Sequence, residues 1–166
     1  MRTIKKFITC DDIADYFIAF ANVTNTSITN LKLQKMVYYA QAWYLALYNR
    51  PLFQGNFQAW THGPVSPKLY YKYRSFGWKP IEQSNLDEDF LDISEENFGE
   101  ELSDFLEEII SKYFGLTALQ LESLTHSEAP WKIARCGLAP KTASNNLIKN
   151  EDMLIFYKSQ AENFNP

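Results

Sequence analysis

Two cysteines, two histidines and six glycines in 166 residues leave little of what metal binding, proton transfer and phosphate cradling usually need. Cys10 and Cys136 stand far apart with no CxxC spacing, which argues against a zinc ribbon or a disulfide framework and fits a reducing compartment. The glycines are scattered, so no phosphate loop is present, and GxSxG, HExxH and helical Glu-x-x-His patterns are all missing. No apolar run approaches the roughly 20 residues needed to cross a bilayer. The start, MRTIKKFITCDD, is basic but lacks the apolar stretch of a signal peptide. These absences lead us to expect a cytoplasmic protein with no cofactor, no metal and no membrane contact.

Positive charge is missing from one region altogether. Residues 81–110 hold twelve Asp and Glu and no Lys or Arg, so all 16 basic residues lie elsewhere, against 8 acids. The net charge of −4 therefore hides two unlike surfaces. The acids read first as solvated loops and helix starts, and second as a surface for a basic partner. The overall sign disfavours nucleic acid as a ligand.

What the chain does have is apolar and aromatic: 46% hydrophobic and 16% Phe, Trp and Tyr, enough for a sizeable core. The expected fold is mainly α, a single helical domain over 1–166 built round a long buried central helix, with a small two-stranded β element. Thr9-Cys10-Asp11-Asp12 reads as a capping box opening a first helix to about residue 21. Thr29 or Asn30 caps the central helix, 31–48, whose Leu33, Val37, Ala40, Tyr44 and Leu47 form one stripe that Met36, Trp43 and Leu45 widen. After Pro51 come a strand before Thr61, the corner His62-Gly63-Pro64-Val65, and a helix from Ser66-Pro67 to Gly77. Residues 78–82 are expected to pair with that strand, and 84–95 to form an acidic loop. Helices over 99–114, 117–124, 127–133 and 151–161 complete the reading, with Ser127 and Asn150 as caps.

His62 and His126 are the natural candidates for general-base or ligand chemistry, alone or converging with Cys10 or Cys136. Neither is paired locally with a second ligand, so a role in holding turns together is the better reading. Trp60, His62, Gly63, Pro64, His126 and Trp131 are accordingly assigned to architecture, with Trp60 buried and His62 bonded to a neighbour. On the helix after Pro67, Leu69, Tyr70, Tyr73 and Phe76 make the inward stripe, which leaves Lys68, Tyr71, Lys72 and Arg74 facing out. Single-stranded nucleic acid stacks on such a mixture. Tyr and Arg also dominate protein interfaces, and a protein-contact surface is the preferred assignment.

Four segments carry a family resemblance. LKLQKMVYYAQAWYLALYNRPLF resembles a Leu-x-Leu-Gln-Lys helix followed by a Pro-Leu-Phe turn. FQAWTHGPVSPKLYYKYRSFG resembles an Ala-Trp-x-His-Gly-Pro-Val corner with a Tyr-containing helix ending in Gly. LESLTHSEAPWKIAR and IKNEDMLIFY are similar to a Leu-Thr-His…Pro-Trp…Arg segment and a closing helix. Together they resemble the Panacea domain, the family of SocA-like antitoxins and GepA-like phage-associated proteins. The resemblance implies a non-catalytic antitoxin that neutralises a cognate protein toxin by direct binding. Its alternative is a phage or mobile-element adaptor that binds a host protein, for example to deliver it to a host protease. No catalytic residue comes with the resemblance, and residues 81–100 match nothing in the family. Without it, the sequence says only that the chain is a mostly helical domain.

Overall fold

The computed structural model describes residues 7–164. The basic residues 1–6, read above for a signal peptide, lie outside the described residues. Helix α1 (Cys10–Val23) opens with the expected capping box. The Thr9 hydroxyl accepts from the Asp12 N–H, and the Asp12 carboxylate accepts from the Thr9 N–H. Thr29 caps α2 (Asn30–Tyr48), and Asn49 ends it in the left-handed conformation. Among the described residues, eight α-helices and the small sheet make the fold mainly α, with α2 at its centre.

Helix α2 is buried over nearly its whole circumference, packed by α1, α8 (Asn150–Phe164) and α6 (Ala118–Ser127). Leu47 is the exception in the expected stripe. It is 52% exposed, while Leu45 in the same last turn is buried. A tyrosine network fills the space between α2 and α8. Tyr39 stacks on Tyr113 at 3.9 Å, and the Tyr39 and Tyr157 hydroxyls donate to Glu128 Oε1 at 2.6 and 2.9 Å. Burial raises the pKa of Glu128, and those two hydroxyls oppose the rise by bonding its charged form.

The sheet is antiparallel, three-stranded and ordered β2-β1-β3: β1 (Phe57–Trp60), β2 (Gly63–Val65) and β3 (Leu147–Ile148). Residues 78–82 do not join it. Pro80 makes only an isolated bridge to Thr29, since proline has no N–H to give a ladder. The partners of β1 are the corner segment itself, which folds back as a hairpin through Thr61-His62, and a strand close in sequence to the last helix. Helix α3 (Pro67–Tyr73) continues as a 3-10 turn over Arg74–Phe76, and Gly77 follows at φ +59°. Ser66 sits at its N-cap position without capping, its N–H instead donating to Gln34 Oε1.

The acidic stretch is not a loop. Asp87 caps α4 (Glu88–Phe98), where the early acids favour the positive end of the helix dipole and Leu91 is buried. Gly99 then turns the chain into α5 (Glu100–Ile109), which ends in a π-helical turn, Ile110–Phe114. Thr117 and Gln120 form the second capping box, at α6. Helix α6 runs to Ser127, so the next helix, α7 (Ala129–Arg135), has Glu128 rather than Ser127 at its N-cap position. Among the described residues, no helix is long and apolar enough to cross a membrane.

Candidate functional site

Two of the recognisable sequence segments, on α2 and α7, reach the β1–β2 hairpin formed by a third, and each donates into it. From α2, Gln34 accepts the Ser66 N–H at 2.9 Å, and its amide donates to Asn30 Oδ1 at 3.0 Å. The next residue, Lys35, is fully buried and donates from Nζ to the Pro64 carbonyl at 3.1 Å. Burial pushes the Lys35 pKa down to about 7, against the opposing pull of Glu122. From α7, Trp131 Nε1 donates to the Trp60 carbonyl at 2.9 Å. Arg135, also buried, donates to the carbonyls of Ala59, Ala139 and Thr142, tying β1 to the loop that follows α7.

Gly63 closes the hairpin at φ +101°, a backbone conformation open to glycine and few other residues. A side chain there would meet Lys35 Cε at 2.6 Å and Thr125 Oγ1 at 2.8 Å. Lys35 thus fills the space that a missing Cβ leaves.

The histidines flank one carboxylate. His62 Nδ1 lies 2.9 Å from Glu122 Oε1, while His126 Nε2 lies 4.0 Å from the same oxygen, beyond hydrogen-bond range. The His126 ring stacks on Trp131 at 4.0 Å, and burial lowers its pKa against the pull of Glu122 and the Thr61 backbone. His62 is bonded to Glu122, and its side chain is nevertheless 71% exposed and lies on the wall of a groove. Cys10 pairs weakly with Ser66, and burial pushes its thiol up to about 11, the reverse of an activated nucleophile. Cys136 is exposed, and its thiol faces the Ile133 carbonyl. Among the described residues, no three His, Cys, Asp or Glu side chains group so as to hold a metal.

On the other side of the hairpin lies a groove of about 1020 Å³. Its aromatic wall is Trp60, Tyr70, Tyr71 and Trp78, with Arg74 and His62 on it too. Trp60 packs edge-on against Tyr70 at 4.9 Å, and the Arg74 guanidinium sits 5.8 Å from the Tyr71 ring. Trp60 is only half-buried, contrary to expectation. The alternation along β1 puts Phe57 and Ala59 in the core and turns Gln58 and Trp60 to the opposite face. Trp78 is 83% exposed and Tyr71 59%.

The four outward residues of α3 and its 3-10 turn separate in space. Tyr71 and Arg74 line the groove. Lys72 is paired with Asp11 at 3.4 Å, and Lys68 lines a different cavity with Cys10 and Arg50. Trp78 was missed by treating residues 78–82 as a strand, although a tryptophan between Gly77 and Pro80 signals a loop. Gln34, Lys35 and Gln41 were missed too, although polar residues inside a helix apolar all round must find partners. Buried Gln41 binds the Leu52 N–H at 2.8 Å and the Phe53 carbonyl at 2.8 Å, holding the Pro-Leu-Phe turn.

Comparison with known proteins matches residues 33–132 to the family described as Antitoxin SocA-like, Panacea domain. The chain belongs to this family. The matched span begins within α2 and ends within α7, so it contains the hairpin, both histidines and Trp131. The chain is also similar to "Antitoxin SocA" of Caulobacter vibrioides (strain NA1000 / CB15N), at 29% identity over 130 residues, covering 75% of this chain and 69% of that protein. No solved structure matches. In this SocA-like Panacea domain, Gln34, Lys35 and Trp131 of the hairpin clamp fall within the matched span and Arg135 lies just beyond it.

Proposed function

We propose that this chain is the antitoxin of a toxin–antitoxin pair and neutralises a cognate protein toxin by direct, non-catalytic binding in the cytoplasm, with 1–166 acting as one domain. Family membership supports the antitoxin role. The observation that favours direct contact is the groove beside the hairpin, where Trp60, Tyr71, Arg74 and Trp78 lie together on one accessible face. Trp, Tyr and Arg are the residue types that carry most energy at protein interfaces. Exposed aromatic surface of this kind has no evident use in a protein without a partner.

The test is co-expression. A toxin-encoding neighbour of this gene should arrest growth when expressed alone and be tolerated with this chain, and the two proteins should co-purify. Trp78→Ala and Arg74→Glu should abolish both rescue and co-purification. Rescue without an isolable complex, with the toxin shortened in half-life, would replace stoichiometric blocking by delivery to a host protease. If no neighbouring gene product is toxic, the adaptor reading takes its place.

A further inference from the structure

The charge of the groove is one-sided. Among the described residues, no aspartate or glutamate lines it, and Glu122, although paired with His62, is not part of its wall. The amide groups within it are largely engaged by the protein itself. Gln58 Oε1 accepts from Trp60 Nε1 at 2.8 Å, Gln34 Oε1 holds the Ser66 N–H, and Asn30 Nδ2 donates to the Tyr70 carbonyl at 3.1 Å. Besides the Tyr71 hydroxyl and the exposed Asn145 amide, which can donate or accept, the wall presents the Arg74 guanidinium, 5.8 Å from the Tyr71 ring, and the exposed indole of Trp78. The guanidinium and the indole are donors without acceptor capacity. An occupant that satisfies them brings acceptors, and a carboxylate fits the guanidinium fork in bidentate fashion.

The sheet edge beside the groove is closed to backbone pairing. β2 is an edge strand, but Pro64 has no N–H and its carbonyl is already taken by Lys35. Recognition there has to run through side chains rather than by adding a strand.

We propose that the groove receives a segment of the protein partner in which an acidic residue, set on Arg74, adjoins an aromatic or aliphatic residue packed between Trp60, Tyr71 and Trp78. This rests on the reading of the chain as a partner-binding antitoxin and names the chemistry of what it binds. Charge complementarity selects this occupant. The groove wall carries a cation and no carboxylate, while the acids of the chain are concentrated on α4 and α5.

The test uses the full chain and a fluorescent peptide in which glutamates flank a phenylalanine, with versions carrying glutamine or lysine for glutamate, and an oligo-dT strand as competitor. The glutamate peptide should bind, and the glutamine version should bind about tenfold more weakly or worse. Arg74→Glu should lose the glutamate peptide and gain the lysine one, Arg74→Lys should fall between, and Trp78→Ala should weaken both peptides. Unchanged thermal melting of each variant separates binding loss from misfolding. Equal binding of the glutamate and glutamine peptides overturns the proposal. So does oligo-dT displacing the peptide at lower concentration through Arg74, or an Arg74-dependent dimer of the chain that excludes it. Should Arg74→Glu abolish protection from the toxin while the acidic peptide fails to bind, the groove is a toxin contact but the acidic occupant is wrong. Should the peptide bind through Arg74 while Arg74→Glu still protects, the occupant stands and neutralisation through the groove falls.

Discussion

The hairpin β1–β2 separates two regions built from the same residue types for opposite ends. On one side Lys35, Trp131 and Arg135 donate to backbone carbonyls and Gln34 to the Asn30 side chain, and all four are buried. On the other side Tyr71, Arg74 and Trp78 offer rings and donors to solvent. The first region is rich in the motifs by which the family is recognised, whereas Arg74 and Trp78 belong to none of the quoted motif positions. Two motif residues, Trp60 and His62, stand on the groove side with Arg74 and Trp78, while Gln34, Lys35, Trp131 and Arg135 hold the hairpin from the other.

Substitutions that enter the clamp should unfold the protein, while those in the groove should leave stability alone and alter binding. Gly63→Val should have the largest effect. Its Cβ would sit within 3 Å of Lys35 and Thr125 at a φ of +101°, and a loss of roughly 4 kcal/mol or more, or no soluble protein, should appear in urea denaturation. Arg135→Met removes the donor to three carbonyls and should cost on the order of 3 kcal/mol by the same measurement. Trp131→Phe keeps the ring but leaves the Trp60 carbonyl without its indole donor, and should cost about 1 kcal/mol.

Lys35 gives the clamp a pH signature. Its folded pKa, near 7, lies below the ordinary 10.5, so between those values the unfolded chain binds the extra proton. Its contribution to stability should therefore rise with pH from about 7 upward. The buried tyrosines, whose pKa values burial raises, reverse the slope once free tyrosine ionises near pH 10. Denaturation midpoints measured between pH 7 and 9.5 should climb in the parent and flatten in Lys35→Met. A parent curve that is flat in this window would show that Lys35 is charged in place. The smallest effect on stability belongs to Arg74→Glu and Trp78→Ala, each within about 0.5 kcal/mol of the parent. A larger loss at either position would erase the contrast between the two regions.

Helix positions were largely legible because capping chemistry is local. Thr9 with Asp12 and Thr117 with Gln120 each place a helix start to within a residue. The acidic stretch misled because its apolar positions are sparse, and α4 holds its place by burying Leu91 against the body of the fold. Sheet pairing misled for a different reason. β3 is two residues long and far along the chain from β1, and a pair that short has no pattern of its own.

By itself the sequence determined the helical class, the buried central helix, a rigid corner with its glycine between the first strand and the next helix, and the family. Each rests on periodicity, capping or motif, which are short-range in the chain. The folding of that corner into a hairpin came from the tertiary structure. The tertiary structure alone decided that Gln34 and Lys35 clamp Ser66 and Pro64, and that Trp60 turns outward. It also decided that Arg74 and Trp78 share a groove with it, while Lys68 and Lys72 face elsewhere. Those outcomes depend on which distant side chain reaches a given carbonyl and which face of a strand meets the core, and local chain chemistry carries no record of either.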